Sequence, residues 1–286
     1  MQERLNVAVQ KKGRLFDGSL ELLKAGGISI NNGKDQLKAS SHNFPLDVLY
    51  LRNSDIPQYV VDGVADLGVV GENLLVENDA DVEVIEKLGF SKCRLSIALP
   101  KEAPYNDISD LKGKKIATSY PVTLQKFLRE RNIEAEIHVI SGSVEIAPNI
   151  GLSDAICDLV SSGSTLFKNG LVEKEVILKS QAVLVKNKHL SKDKEALIEQ
   201  VAFRIRTTLK ARKSKYILLN APKDKVQEIS DLLPVLKAPT VLPLALEGWC
   251  SIHSVIEEDK FWEVIDQLKA AGAEGILIVP IEKIVV

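Results

Sequence analysis

The sequence predicts an α/β protein: a larger strand–helix part over residues 1–213 and a separate βαββαβ module over residues 214–286. Three observations carry this. Short apolar β-type runs alternate with helical periods. One long amphipathic helix closes that stretch. Beyond it the rhythm changes to β-α-β-β-α-β, the order of a ferredoxin-like module.

The first strand is Leu5–Val9, and Phe16–Lys24 follows as a helix stopped by Gly26 and Gly27. Leu46–Leu51 reads as a strand, Ile56–Val64 as a helix, Leu67–Val70 as a strand, and Arg94–Leu99 as a strand ended by Pro100. Lys115–Thr118 is a strand, and Pro121 opens a helix running to about Arg131. Ile137–Ile140 and Ala155–Val160 are strands. This alternation implies a largely parallel sheet. From Ser191, the residues Leu197, Ile198, Val201, Ala202, Ile205 and Leu209 form one helical stripe. Its basic end, Lys210–Lys215, suits a helix C-terminus. The module then reads as strand Tyr216–Leu219, helix Lys223–Leu233, strands Thr240–Ala245 and Ser251–Ile256, helix Asp259–Ala271 and strand Gly275–Ile281.

Composition excludes several classes. Of 286 residues, 45% are hydrophobic and 27% charged, enough for a sizeable core and unlike a disordered chain. Lys and Arg number 37 against 39 Asp and Glu, which argues against a dedicated nucleic-acid binder. The longest stretch without a charged side chain, Ile116–Gln125, is too short to span a bilayer, so no membrane partner is expected. The first residues show no basic-then-apolar signal pattern, and a cytoplasmic location is expected. Cys93, Cys157 and Cys250 are far apart and odd in number, against a disulfide framework or a zinc motif.

The stretch richest in chemistry is Asp154–Gly170. A strand runs into a small-residue loop, Ser161, Ser162, Gly163, Ser164 and Thr165, followed by a short helix. Small residues let backbone amides approach an anion, and hydroxyls add donors. Asp154 and Asp158 flank the loop in sequence. Carboxylates beside a phosphate cradle suit ribose hydroxyls or hydrated Mg²⁺, so the combination suggests a sugar phosphate. The loop by itself fits a plain turn and helix cap as well. Gln10-Lys-Lys-Gly-Arg14, after the first strand, places cations where an open sheet binds ligands, or is a solvated basic turn. Asp66–Glu72 and Ser141–Glu145 are two further strand-to-helix turns.

In this order, these segments resemble the ATP phosphoribosyltransferase family of histidine biosynthesis, in its long form. The matching stretches are Ala8–Leu15, Asp62–Asn73, Leu88–Leu95, Ile116–Pro121, and Gly142–Pro148 running into Asp154–Gly170. Ala238–Leu244, Leu268–Ala273 and Ile281–Ile284 are similar to the extra domain of the long form. The resemblance implies a two-lobed, periplasmic-binding-protein-like catalytic core over residues 1–213, lobe I being about 1–93 plus 181–213 and lobe II about 94–180. It implies a regulatory domain over 214–286.

The reaction it implies joins ATP to 5-phosphoribosyl diphosphate (PRPP), with Mg²⁺ as cofactor. Ser161–Thr165 would hold the 5-phosphate, with Asp154 and Asp158 at the ribose. Lys11, Arg14 and Glu145 are the catalytic candidates, the first two on phosphates and Glu145 at the adenine amino group. Gln10, Glu72 and Tyr120 are the ATP candidates, although Tyr120 is equally a core tyrosine. The resemblance further implies inhibition by L-histidine at Asn220, Leu236, Thr240 and Gly275, and a homo-oligomer, dimer and hexamer. A non-catalytic solute-binding protein and an amino-acid-responsive regulator are the competing readings. The acids beside the loop favour the enzyme, since a solute carrier has no need of them.

Overall fold

The computed structural model describes residues 3–31, 36–233 and 238–285. Contacts divide the chain into two compact units, Met1–Lys24 with Ile28–Gln200, and Ala25–Gly27 with Val201–Val286.

The first unit holds two sheets, one per lobe. Lobe I begins with β1 (Leu5–Gln10), α1 (Arg14–Ala25), β2 (Lys38–Ser40), β3 (Leu46–Leu51) and α2 (Ile56–Val61). It continues through β4 (Leu67–Gly71), α3 (Glu72–Asn78) and β5 (Glu83–Lys87). The chain then crosses into lobe II: β6 (Cys93–Pro100), β7 (Lys115–Thr118), α4 (Pro121–Glu130), β8 (Glu136–Val139), β9 (Ala155–Val160), α5 (Ser164–Lys168) and β10 (Leu171–Ser180). It returns as β11 (Ala182–Lys186) and enters α6 (Lys192–Lys213). The sheet orders are β2-β3-β1-β4-β11-β5 and β10-β6-β9-β7-β8. This is the two-lobed, periplasmic-binding-protein-like architecture that the family resemblance implies.

The largely parallel sheet is corrected. β1 pairs in parallel with β3 and β4, and β7 with β8 and β9. The strands on the two crossings, β6, β10 and β11, all pair antiparallel. Each lobe keeps a parallel centre, β3-β1-β4 in one and β9-β7-β8 in the other, while the strands that carry the chain between the lobes run against their neighbours. β10 and β5 escaped the sequence reading because they are edge strands. Their charged residues (Glu173, Lys174, Glu175 and Lys179; Glu83, Glu86 and Lys87) break the apolar signal and protect the edges.

Alternation along β9 builds two cores in lobe II. Ala155 and Cys157 pack with Ile97, Ile116, Leu124 and Phe127 on the α4 side. Ile156 and Val160 pack with Ala98, Val144 and Leu166 on the other. Cys157 is thus a small core residue, as its apolar setting predicts, and burial pushes its thiol above the ordinary range. In lobe I, α2 lies so close on β4 that a Cβ on Gly68 would fall 2.8 Å from Val60 and 2.9 Å from Ile56. Only glycine permits that approach. The α6 stripe is buried at Ile198, Val201, Ala202 and Ile205.

The second unit contains β12 (Ser214–Pro222), α7 (Val226–Leu232), β13 (Thr240–Pro243), β14 (Trp249–Glu257), α8 (Glu258–Ala270) and β15 (Glu274–Pro280). Its sheet order, β13-β14-β12-β15, is that of the ferredoxin-like βαββαβ fold. Ile217, Leu219, Ala221, Cys250, Ile252 and Ile256 cover one face with Ile229 of α7 and Val264 and Leu268 of α8.

One charged cluster fixes the start of the lobe I sheet. Asp47 on β3, 9% exposed, takes Arg4 Nη2 at 2.7 Å and Lys38 Nζ at 2.9 Å. Burial would raise its pKa, but the hydrogen bonds from Arg4 and Lys38 outweigh burial and lower it to about 2. A carboxyl depressed in the folded state adds stability above its unfolded pKa and loses it as pH falls through the folded value. Asp47→Asn should therefore lower stability by about 1–2 kcal/mol at pH 7, allowing for screening at the exposed Arg4 and Lys38 ends. In urea titrations the difference from the native protein should shrink as pH falls from about 4 toward 2.

Candidate active site

The site forms where the carboxyl ends of β1 and β9 face each other across the lobes. Gln10 ends β1, and the Lys11 amide donates to the Leu51 carbonyl at 2.8 Å, keeping the chain in the sheet for one more residue. Gly13, at φ +95°, then turns the chain into α1, and Arg14 opens the helix on the cleft side. From lobe I, Arg14 Nη1 donates to Ser161 Oγ in lobe II at 3.5 Å. The basic turn and the small-residue loop, far apart in sequence, thus meet.

The loop follows β9. Gly163 is left-handed at φ +79°, so the chain reverses after Ser162 and lines its hydroxyls and amides along one concavity. Ser162 Oγ donates to Ser164 Oγ at 3.1 Å and accepts from the Ser164 amide at 3.4 Å. α5 is only 5 residues long, so its dipole adds little and the loop's own donors make the cradle. The loop is fastened at its first residue. Arg94 Nη1 donates to the Ser161 carbonyl at 3.0 Å. Arg94 Nε and Nη2 grip the two oxygens of Glu173, and Ser96 Oγ donates to Glu173 at 2.7 Å. The arginine holds Glu173 well below the usual carboxylate range.

Asp158 and Glu145 complete the concavity, a hollow of about 310 Å³ that also includes Arg14 and Ser161–Leu166. Asp158 shares a sheet face with Ile156 and Val160 and lies opposite Ser96. Burial pushes its carboxyl up, the Leu159 amide at 2.7 Å opposes this, and the charge of Glu145 adds to the rise. Glu145 stands on the short turn Val144–Ile146, reached through Ser143 at φ +51°.

Asp154 is not brought to the loop. It precedes β9, accepts from the Lys115 amide at 2.8 Å and lines a separate hollow with Lys114 and Lys115. The 6 residues of β9, about 20 Å of extended chain, separate it from Ser161. Acids flanking a loop in sequence sit at opposite ends when one of them starts the strand.

Tyr120 opens α4, packs on the lobe II core, and is half-buried. Burial first, then the nearby Asp158 carboxylate, raises its hydroxyl above the usual range. It therefore edges the same site while serving the core. Glu72 opens α3 and pairs with Lys87 at 3.2 Å in a neighbouring hollow that includes Arg94 and Ser161. Asp66, from the same motif, is structural: its buried carboxylate takes the Asn6 amide and Lys194 Nζ, each at 2.8 Å.

Sequence reasoning missed Arg94 as an anchor, Glu173 and Glu77. Glu77 of α3 accepts from the Val122 amide, the Thr123 amide and Thr123 Oγ1 at 2.9, 2.9 and 2.7 Å. It supplies the cap of α4 from the other lobe. The signal was present: Tyr120 stands at the N-cap and makes no side-chain cap. Among the described residues no group of three His, Cys, Asp or Glu side chains could hold a metal by itself.

The ATP phosphoribosyltransferase family model matches residues 52–207, and the model for the HisG C-terminal domain matches 211–283. The ATP phosphoribosyltransferase of Bacteroides thetaiotaomicron is 55% identical over 282 residues, 99% of this chain and 100% of that one. That of Cytophaga hutchinsonii is 54% identical over 285 residues, 100% of both chains. The chain belongs to the ATP phosphoribosyltransferase family. It is a transferase of the glycosyltransferase class, acting in histidine biosynthesis. A solved ATP phosphoribosyl transferase (HisG:HisZ) complex from Thermotoga maritima contains a chain that superposes with TM-score 0.60 and 27% identity. The match covers 71% of this chain and 98% of that one. No helix among the described residues is long and apolar enough to cross a membrane.

The matched C-terminal module carries the four positions expected to take an inhibitor. Asn220 lies on β12 opposite Ser251, and its Nδ2 is 3.4 Å from where a Cβ on Gly275 would fall. Thr240 starts β13 opposite His253, two residues along that same uncovered face. There His253 bonds Tyr216 Oη at 2.9 Å and Ser251 Oγ at 3.0 Å. Leu236 lies outside the described residues.

Gly163→Ala tests the loop geometry. Only Val160 Cγ1, at 4.0 Å, would touch the new Cβ, so the cost is backbone strain alone, about 1–2 kcal/mol. The variant should fold, with a small fall in Tm, and bind ribose 5-phosphate several-fold more weakly in calorimetry.

Proposed function

We propose that the loop Ser161–Thr165 holds the 5-phosphate of PRPP and that the chain transfers its phosphoribosyl group to N1 of the adenine of ATP. Pyrophosphate is released, in the first step of L-histidine biosynthesis, in the cytoplasm. The observation that carries this reading is the meeting in one hollow of the loop, Asp158, Glu145 and, from the other lobe, Arg14. Donors for a phosphate, carboxylates for a ribose and a cation for a leaving group are what such a substrate needs.

Cleavage at the anomeric carbon builds positive charge on the ribose ring and negative charge on the departing pyrophosphate. Asp158 accepts from the ribose hydroxyls and its charge favours the cationic ring. Its raised pKa means that it loses this role at a higher pH than an exposed aspartate would. Arg14 and Lys11 take phosphate oxygens. N1 of adenine brings its own lone pair, so no covalent intermediate with the protein is needed and catalysis is positioning plus electrostatics. Glu145 receives the adenine amino group, Tyr120 flanks the ring, and Gln10 and Glu72 border the ATP side.

Asp158, half-buried and with its carboxyl raised by burial and then by the charge of Glu145, fits a divalent cation shared with phosphate oxygens better than a closed protein cage would. Asp158 would hold Mg²⁺ here, with phosphate oxygens and water as its other ligands. Bound there, it supplies charge neutralisation at the diphosphate.

The decisive experiment is steady-state kinetics with each substrate varied. Asp158→Asn should abolish turnover while leaving ATP binding nearly intact. Thr165→Val should weaken PRPP by roughly 1–3 kcal/mol with little change in volume. Near-normal turnover in the first, or an unchanged PRPP constant in the second, would remove the assignment.

The module from Ser214 onward is proposed to bind L-histidine at Asn220, Thr240 and Gly275, with Leu236. Inhibition would work by favouring a compact hexamer over an active dimer. The uncovered sheet face with paired polar side chains supports this. Thr240→Val should retain full turnover without histidine and need several-fold more histidine for half-inhibition. Unchanged sensitivity would place the inhibitor elsewhere.

A further inference from the structure

The start of α4 takes its hydrogen bonds from outside its own segment. The first amides of a helix have no partner within it, and a serine, threonine, aspartate or asparagine at the N-cap ordinarily accepts from them. Here that position holds Tyr120, whose side chain makes no cap. Pro121 has no amide hydrogen, and the Val122 and Thr123 amides both donate to Glu77 of lobe I, at 2.9 Å each. Thr123 Oγ1, on a buried residue, donates to the same carboxylate at 2.7 Å. On the other side, the Tyr120 amide donates to Thr118 Oγ1 at 2.9 Å. Tyr120 is thus fixed by β7 behind it and by Glu77 ahead of it.

Glu77 is itself held. Asn73 and Glu77 lie four residues apart on one face of α3. The Asn73 amide donates to Ser180 Oγ at 3.1 Å, Ser180 Oγ donates to Asn73 Oδ1 at 2.9 Å, and both residues are buried. This contact ties α3 to the end of β10, so Glu77, one turn on, meets α4 from a fixed place. The Tyr120 hydroxyl feels the carboxylate: after burial and the charges of Asp158 and Cys93, that of Glu77 adds to its raised pKa.

We infer that Glu77 is a positioning residue for the nucleotide: by capping α4 from lobe I, it sets where Tyr120 stands at the cleft. A residue able to cap its own helix would make Glu77 unnecessary, but it would displace the ring. The fold keeps the tyrosine and draws the cap from a neighbouring helix. The inference rests on the proposed place of Tyr120 beside the adenine, and the measurements separate the two.

The test is calorimetry of ATP and of ribose 5-phosphate with the full chain, with Glu77→Gln, with Thr123→Val and with the double variant, alongside hydrogen exchange at Val122 and Thr123. Glutamine keeps the shape of Glu77 but loses its charge and one acceptor oxygen. Thr123→Val removes a single bond at nearly constant volume. In Glu77→Gln the two amides should exchange faster, ATP should bind about tenfold more weakly, and ribose 5-phosphate should stay within about twofold. Thr123→Val should lose part of the ATP affinity, and the double variant no more than Glu77→Gln alone, because both act through one cap. An unchanged ATP constant in Glu77→Gln, an equal loss for both ligands, or losses that simply add in the double variant would each overturn the inference. If thermal melting shows Glu77→Gln to fold poorly, Thr123→Val decides by the same split between ligands. Tyr120→Leu examines the reading beneath. If it leaves ATP binding unchanged while Glu77→Gln still weakens it, the adenine place of Tyr120 falls, and Glu77 positions the nucleotide through another part of the α4 N-terminus.

Discussion

Arg94 ties the carbonyl of Ser161 to the carboxylate of Glu173, and the position of the small-residue loop depends on that bridge. A loop of serines and one glycine has no side-chain bulk to hold it. Left alone, it would sample many backbone states, and ordering it around an anion would cost conformational entropy. The guanidinium fixes the first carbonyl in advance. Its fork meets the paired oxygens of Glu173 and still has a donor left for the backbone, which a lysine could not match. Because Glu173 neutralises it, Arg94 acts as a fastening for the loop and not as a competing anion ligand.

Much of this was legible in the sequence. The β-α rhythm and the βαββαβ order follow from local periodicity, and the structure has the corresponding elements. The loop and Asp158 were readable because they lie within a few residues of one another. What was hidden has definite causes. Asp154 looked like a partner of the loop because a sequence does not display how far an extended strand carries its two ends apart. Glu173 sits on an edge strand whose alternating charges read as a solvated segment. Arg94 was visible as a strand residue, but its bond to Ser161 spans 67 positions and needs the β6–β9 pairing to exist.

The C-terminal module makes a similar point about sheets with one covered face. Its apolar alternation toward α7 and α8 is a folding signal and was read as such. The other face mixes Tyr216, Asn220, Ser251 and His253 with Leu218, Val255, Leu277 and Val279. Three of its polar members are joined by side-chain hydrogen bonds, Tyr216 to His253 and His253 to Ser251, which periodicity does not encode. A polar network on an open face specifies geometry without adding much to the hydrophobic core.

The cap on α4 couples that helix to the spacing of the two lobes. Because the acceptor for the Val122 and Thr123 amides belongs to α3, on the far side of the crossing, the helix keeps its N-terminal cap only while the lobes are near one another. Swinging them apart strips two amides and a hydroxyl of a charged acceptor, at a cost of about 1–2 kcal/mol before water replaces it. The fold therefore places, on one glutamate, a free-energy term that favours the two lobes staying together.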